Sequence, residues 1–344
     1  MLLRNTPGEI TEPGTPFTPE RMNNIEEGIE GAHEAIASQN SEFESKFVLI
    51  HDFADASNLA SSVEGYGRDL MKLLLGHGIE EMTTQSMRNE AIAQVMAEIR
   101  RRCNNNGEID NSGIPDFRGL MVGDYLDGLD LSDIAAAPGG TSPQAWNNNY
   151  RNNRIVIGGF NFYKGIGDTE NDKNHILFIF RNNICMGYMR SDYVNTGGYL
   201  ATSMRVWLEG SSGDGSGPFA TGLKVALGGN YLYKTRKYLS RKNETRSWDW
   251  YTIYLATEPE VLGYPAKGDE VNPAFTSVSI QIPIYKNSFY CHIKKLNGIR
   301  FTWWTSTPTL QTDALFVVSA VNGGASQQAA NRYDIGISPV FCCY

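Results

Sequence analysis

The chain is poor in the residues that metal-built and disulfide-built folds require. It holds five cysteines in 344 residues, at Cys103, Cys185, Cys291, Cys342 and Cys343. They are odd in number, scattered, and without Cys-x-x-Cys spacing, so they suggest neither a disulfide framework nor a zinc knuckle. Buried free thiols in a reducing compartment are the expectation. Cations are also scarce: 30 Lys and Arg face 38 Asp and Glu, a net charge of −8. Nucleic-acid affinity comes largely from cations on phosphates, so nucleic acid is excluded as a partner. No run of uncharged apolar residues is long enough to span a bilayer, which argues against membrane insertion. The opening MLLRNTPGEITEPG lacks an apolar h-region, so the expectation is a soluble product made in the cytoplasm and not exported by the general route.

Catalytic signatures are missing too. The chain has no HExxH, GxSxG, GxxxxGK[ST] or EF-hand loop, and the expectation is a protein that is not an enzyme and needs no cofactor. The histidines His33, His51, His77, His175 and His292 are far apart, and His175 and His292 read as packed or surface residues. A Cys291 and His292 dyad on a strand would face opposite sides. Asp168, Glu170 and Asp172 alternate and are compatible with calcium or with paired glycosidase carboxylates, but their spacing is not specific.

What is present describes a folded chain: 41% hydrophobic, 11% aromatic and 20% charged residues, with 35 glycines for turns. Its length calls for one large domain with an appendage, or for two domains. Charge is uneven, since residues 1–50 hold nine Glu against only Arg4, Arg21 and Lys46.

Residues 1–17 read as an extended arm, because NTPGEITEPGTPFTP (5–19) contains four prolines and two glycines. Thr18 then suits an N-cap, with Pro19 at the first helical position and Glu20 in the first turn. Met22, Ile25, Ile29, Ala32, Ile36, Gln39 and Phe43 recur at alternating spacings of three and four, a heptad stripe on a helix over 18–47. Self-association as a homotrimer is the favoured reading. A helix packed on its own domain is the alternative, and Gly28, Gly31 and Gln39 weaken the helix taken alone.

Residues 48–112 read as a helical connecting region, with helices at Leu70–Leu75 and Thr84–Cys103. The second has Met87, Ala91, Ile92, Val95, Met96 and Ile99 on one face. It ends in Arg100-Arg101-Arg102, which complements the helix dipole, and stops at Asn104-Asn105-Asn106-Gly107. From 113 to 344 short apolar runs alternate with Gly, Asn, Asp and Ser clusters. Strands are expected at 154–157, 175–180, 251–255, 301–304, 315–321 and 335–341, and short helices at 203–208 and 223–227. The class is α+β.

Two resemblances sharpen this. EITEPGTPFTPERMNNIEEGIEGAHEAI, with Asn23, Glu26, Gly28 and Ile29, resembles the arm-then-helix segment near the start of many phage tail and baseplate proteins. That likeness implies attachment to tail or baseplate proteins through residues 1–20. Passages in order from Asn153-Arg154-Ile155-Val156-Ile157 through Gly167-Asp168-Thr169-Glu170-Asn171, Asn195-Thr196-Gly197-Gly198-Tyr199, Thr257-Glu258-Pro259-Glu260-Val261, Pro283-Ile284-Tyr285, Trp303-Trp304-Thr305-Ser306-Thr307-Pro308 and Gly323-Gly324-Ala325-Ser326 to Gly336-Ile337-Ser338-Pro339-Val340-Phe341 resemble a phage-tail and prophage domain related to the C-type-lectin-like fold. Retroelement-diversified relatives tend to end in Gly-x-Arg-Pro, and here Ser338 stands at the Arg.

The resemblance implies a phage tail fibre receptor-binding protein: a virion adhesin that attaches to a host surface glycan or protein through its terminal region. A structural tail subunit and a surface-polysaccharide hydrolase are the alternatives. Between Phe301 and Tyr344 only Asp313, Arg332 and Asp334 are charged, a composition that resembles a paratope. The candidate receptor-binding residues are Trp304, Thr305, Thr307, Gln311, Thr312, Asn322, Gln327, Gln328, Asn331, Arg332 and Tyr333. Of the paired tryptophans one is expected inward, Trp303 slightly favoured, and the other outward. A second candidate surface is the basic run Lys234, Arg236, Lys237, Arg241, Lys242 and Arg246, which could meet anionic cell-surface polymers.

Overall fold

The computed structural model describes residues 67–104, 115–143, 153–166, 171–239, 242, 247–268, 281–287, 289–309 and 315–344. The chain divides at Gly65, and the described residues belong to the second unit, Tyr66–Tyr344. The extended arm over 1–17 and the heptad helix over 18–47, with Met22, Ile25, Ile29, Ala32, Ile36 and Phe43, lie outside the described residues.

The second unit mixes helices and sheets. Helix α1 (Leu70–Leu75) opens on Asp69, whose carboxylate accepts from Met71 N, and stops at Gly76 in the left-handed region, φ 83°. Helix α2 (Gln85–Asn104) buries Ala91, Ile92, Val95, Met96, Ile99 and Cys103. Met87, expected on that face, is 45% exposed near the helix start. This buried face is part of the same core as the sheets. The unit that holds the sheets begins at Tyr66 and includes α1 and α2. The triple arginine is internally satisfied: Arg100 donates to Tyr344 O and Asn230 O, while Arg101 and Arg102 share Glu98.

After α2 come β1 (Tyr125–Leu126), β2 (Ile155–Phe160), β3 (Ile176–Phe180), β4 (Cys185–Met186), α3 (Ser203–Glu209), α4 (Pro218–Ala226), β5 (Leu232–Tyr233), β6 (Thr235–Leu239), β7 (Ser247–Tyr251) and β8 (Ile253–Leu255). The remainder is α5 (Glu258–Leu262), α6 (Pro283–Asn287), β9 (Lys294–Leu296), β10 (Ile299–Phe301), β11 (Trp303–Pro308), β12 (Leu315–Ser319), β13 (Ala325–Ala329), β14 (Gly336–Ile337) and β15 (Pro339–Cys343). One sheet runs β1-β2-β3-β15, and the far side of β15 is shared by β5 and β8. A second sheet runs β13-β12-β11-β14-β4, with β11 and β14 parallel. Two hairpins, β6-β7 and β9-β10, stand apart.

The runs Ile176-Leu177-Phe178-Ile179-Phe180 and Pro339-Val340-Phe341-Cys342-Cys343 are buried at every position. Such continuous apolar strands need cover on both faces, so period-two alternation is absent from them. All five cysteines are free and buried. Burial raises the thiols of Cys342 and Cys343 well above the ordinary range, and pushes Cys103 up to about 12. None of these three is poised as a nucleophile.

Charges inside the unit are mostly paired. Arg154 and Asp127, Arg205 and Glu209, and Lys237 and Glu260 form buried ion pairs at 2.7, 3.0 and 2.8 Å. The last is extended by tyrosines: Tyr163 OH donates to Glu260 Oε1 at 2.6 Å, and Tyr254 OH donates to Tyr163 OH at 2.5 Å. Lys237 is thus removed from the basic run that the sequence offered as a surface. Lys294 is different. It is fully buried, donates to Phe180 O at 2.5 Å, and lies over the Trp303 and Tyr285 rings, with no carboxylate paired to it among the described residues. Burial, reinforced by Arg181, pushes its amine down to about 7.

Two stability predictions arise from these lysines. Lys237→Met strands the buried Glu260 carboxylate and should cost about 3–5 kcal/mol in urea unfolding. Adding Glu260→Gln to that variant should recover part of the loss; a double variant no more stable than the single one would refute the pairing. For Lys294 the folded-state pKa is lowered, so below about 7 both states carry the proton and the burial cost is fully present. As pH rises from about 7 to about 10.4 the unfolded state holds the extra proton, and stability rises. Lys294→Met should therefore raise Tm at pH 6–7, with a gain over the parent that shrinks towards pH 10. A gain independent of pH would show that charge is not the cause.

Candidate functional site

The expected receptor-binding residues divide into a buried group and an exposed one. Trp304, Thr305 and Thr307 are 0, 2 and 0% exposed. They do not reach a surface, because β11 lies mid-sheet between β12 and β14 and is covered on both faces. Trp303 and Trp304 are both internal, contrary to the expected alternation, and their indole nitrogens donate to His292 O and Gly187 O. Thr305 Oγ1 donates to Val317 O, and Thr307 Oγ1 accepts from Glu258 N. These hydroxyls are consumed in holding α5 and β12 to β11, which satisfies polar groups inside the core. Gln311 and Thr312 lie outside the described residues.

The remaining candidates sit along β13 and the turn after it. Asn322 is exposed, and its side chain accepts from Gly324 N, shaping the β12-β13 turn. Gln327 and Gln328 are half-buried on β13, opposite Val317 and Phe316. Asn331, Arg332 and Tyr333 are exposed, with Tyr333 at 66%.

A segment that sequence reasoning missed lies beside this turn. Ala330 O accepts from both Met189 N (2.9 Å) and Arg190 N (3.0 Å), which ties the 189–196 loop to the end of β13. Asn195 Nδ2 adds a bond to Leu315 O at 2.7 Å, and Arg190 Nη1 donates to Thr196 O at 3.0 Å. The loop carries Tyr193, 58% exposed.

Each of the two segments contains the same device. Arg190 grips Asp192 through Nε (2.7 Å) and Nη2 (2.9 Å), and Arg332 grips Asp334 through Nε (2.6 Å) and Nη2 (2.5 Å). In both, an Arg-x-Asp triplet folds into a two-pronged pair beside an exposed tyrosine. The guanidinium bonds hold both carboxyls below the usual carboxylate range. At neutral pH the device is charged, paired and electrically balanced. The signal was in the sequence: Arg190-Ser191-Asp192-Tyr193 and Arg332-Tyr333-Asp334 repeat one pattern about 140 positions apart.

The other candidate features do not assemble. Of the basic run, Lys237 is paired in the core and Lys242 is buried, while Lys234 and Arg236 lie over the Trp250 ring at 5.0 and 5.1 Å. Arg241 and Arg246 lie outside the described residues. Asp172 is exposed, Asp168 and Glu170 lie outside the described residues, and no group of three His, Cys, Asp or Glu able to hold a metal is found among those described. His175 is fully buried, and burial pushes it down to about 4, so it stays neutral at physiological pH. Cys291 and His292 occupy a short 3-10 turn and not a strand, and His292 Nε2 bonds Tyr285 O. No helix of the described residues is long and apolar enough to cross a membrane. Comparison with protein-family models, curated proteins and solved structures finds no match to this chain.

Proposed function

We propose that the chain is a receptor-binding protein of a phage or phage-derived tail, attached through residues 1–20 and oligomerised as a homotrimer by the heptad stripe of 18–47. On this reading the second unit is a C-type-lectin-like domain that holds a binding surface towards a bacterial cell. Support for attachment is the likeness of the arm-then-helix segment to tail and baseplate proteins. Support for adhesion is one observation: the 189–196 loop and the turn after β13 are fixed to each other through Ala330 O, and both present an exposed tyrosine beside a locked Arg–Asp pair. Rigid aromatic anchors on a fixed scaffold bind with little ordering cost, which is how paratopes work.

Two measurements test this reading. Purified protein should adsorb to cells of at least one strain in a bacterial panel, and Arg332→Ala with Tyr333→Ala should cut adsorption by about tenfold or more, as expected where exposed Tyr and Arg dominate an interface. Val225→Ser, on the exposed side of α4, should change nothing. Full adsorption by the double variant would place the binding surface elsewhere. For assembly, the full chain should sediment as a trimer, and Ile25→Asp with Ile29→Asp should yield monomers, because charges at seam positions cannot be buried. A parent chain that sediments as a monomer would remove the oligomerisation claim.

A further inference from the structure

We infer that the surface joining the 189–196 loop to the turn after β13 is a site for an uncharged carbohydrate; this rests on the adhesin reading and specifies its ligand. Three observations carry it. First, the anchors are tyrosines and not aliphatic residues: Tyr193 and Tyr333 are 58 and 66% exposed, and neither segment exposes a large aliphatic side chain. A protein interface draws its energy from an apolar, desolvated centre, which this surface lacks. A phenol ring instead offers a π face to the C–H face of a pyranose and a hydroxyl to its rim.

Second, each tyrosine stands beside a planar Arg–carboxylate pair. Arg332 and Asp334 keep 47 and 48% of their side-chain surface exposed, and Asp192 keeps 53%. The carboxylates of Asp192 and Asp334 and the guanidinium of Arg332 stay open to water, while Arg190, 20% exposed, gives its Nη1 to Thr196 O. Sugar hydroxyls both donate and accept, so adjacent hydroxyls can bridge a donor and an acceptor of one pair at once. Burying two such ion pairs dry against a protein would carry a large desolvation cost, whereas a sugar contact leaves them wet.

Third, the charges cancel. Arg190 with Asp192 and Arg332 with Asp334 leave the surface without net charge, and no further Lys or Arg lies in either segment. A phosphate-bearing or uronic-acid polymer would meet two carboxylates already holding the guanidiniums, so the surface selects against polyanions.

The test uses the full chain on immobilised oligosaccharides: neutral hexose and N-acetylhexosamine oligomers against phosphorylated and sialylated ones. Expected is binding to neutral members, changed less than twofold between low and high salt. Tyr193→Ala and Tyr333→Ala should each lower it about tenfold or more, and Tyr193→Phe should restore it to within about threefold. Arg332→Ala should weaken it without shifting Tm, since the group is exposed. Binding only to anionic oligosaccharides, suppression by salt, or indifference to Tyr193→Ala would each overturn the inference. Adsorption to cells is measured in parallel, before and after periodate or protease treatment. Adsorption that resists periodate and is lost to protease overturns the carbohydrate assignment and leaves the adhesin reading standing. No adsorption to any strain removes both.

Discussion

The buried pair of Lys237 and Glu260 is the constraint on which the placement of several elements depends. Lys237 comes from β6, Glu260 from α5, Tyr254 from β8, and Tyr163 from the turn that follows β2. Glu260 also accepts from Thr257 N, so the carboxylate that neutralises the lysine caps its own helix as well. Four elements, the turn after β2, β6, β8 and α5, are therefore gathered around one carboxylate. A dry ion pair of this kind gives little net stability over apolar packing, but it penalises every arrangement that leaves one partner alone. Its contribution is the uniqueness of the arrangement.

That constraint acts next to the strand that completes the fold. β15, at the end of the chain, lies between β3 on one side and β5 with β8 on the other. Cys103 on α2 donates to Cys343 O, which ties the helix to this strand. The last strand thus closes a sheet whose other members lie more than 80 positions earlier. Its two neighbours on one side, β5 and β8, are held by the segments that carry Lys237 and Tyr254.

Part of this was readable from the residues. Helix α2 was legible because its apolar positions fall at helical spacing. The strand expected at 175–180 matches β3, whereas the one expected at 335–341 divides into β14 and β15 at Ser338 and runs on to Cys343. Two assumptions misled: that one of Trp303 and Trp304 faces outward, and that the strand ends at Trp304 with Thr305 and Thr307 beyond it; β11 instead runs to Pro308, buried throughout, and its threonines spend their hydroxyls on Val317 O and Glu258 N. The basic run misled for a related reason, since sequence cannot show that Lys237 has a carboxylate waiting 23 residues on. The 189–196 loop was passed over because its significance comes from Ala330, a contact between segments remote along the chain. Only the repeated Arg-x-Asp pattern could have announced it.

The same physics bears on the surface proposed for binding. An unheld arginine side chain loses up to about 2 kcal/mol of rotamer entropy when a ligand fixes it. Here Arg190 and Arg332 are fixed before any ligand arrives, each by a carboxylate two residues away. At such exposure the pair adds little to folding stability, so its value lies in holding donors and acceptors in a set plane. The 189–196 loop is held by Met189 N and Arg190 N on Ala330 O and by Asn195 Nδ2 on Leu315 O, both at the β12-β13 edge of the second sheet. On the proposed reading, ordering costs that would otherwise fall on binding are met during folding, by the strands to which these loops are bonded.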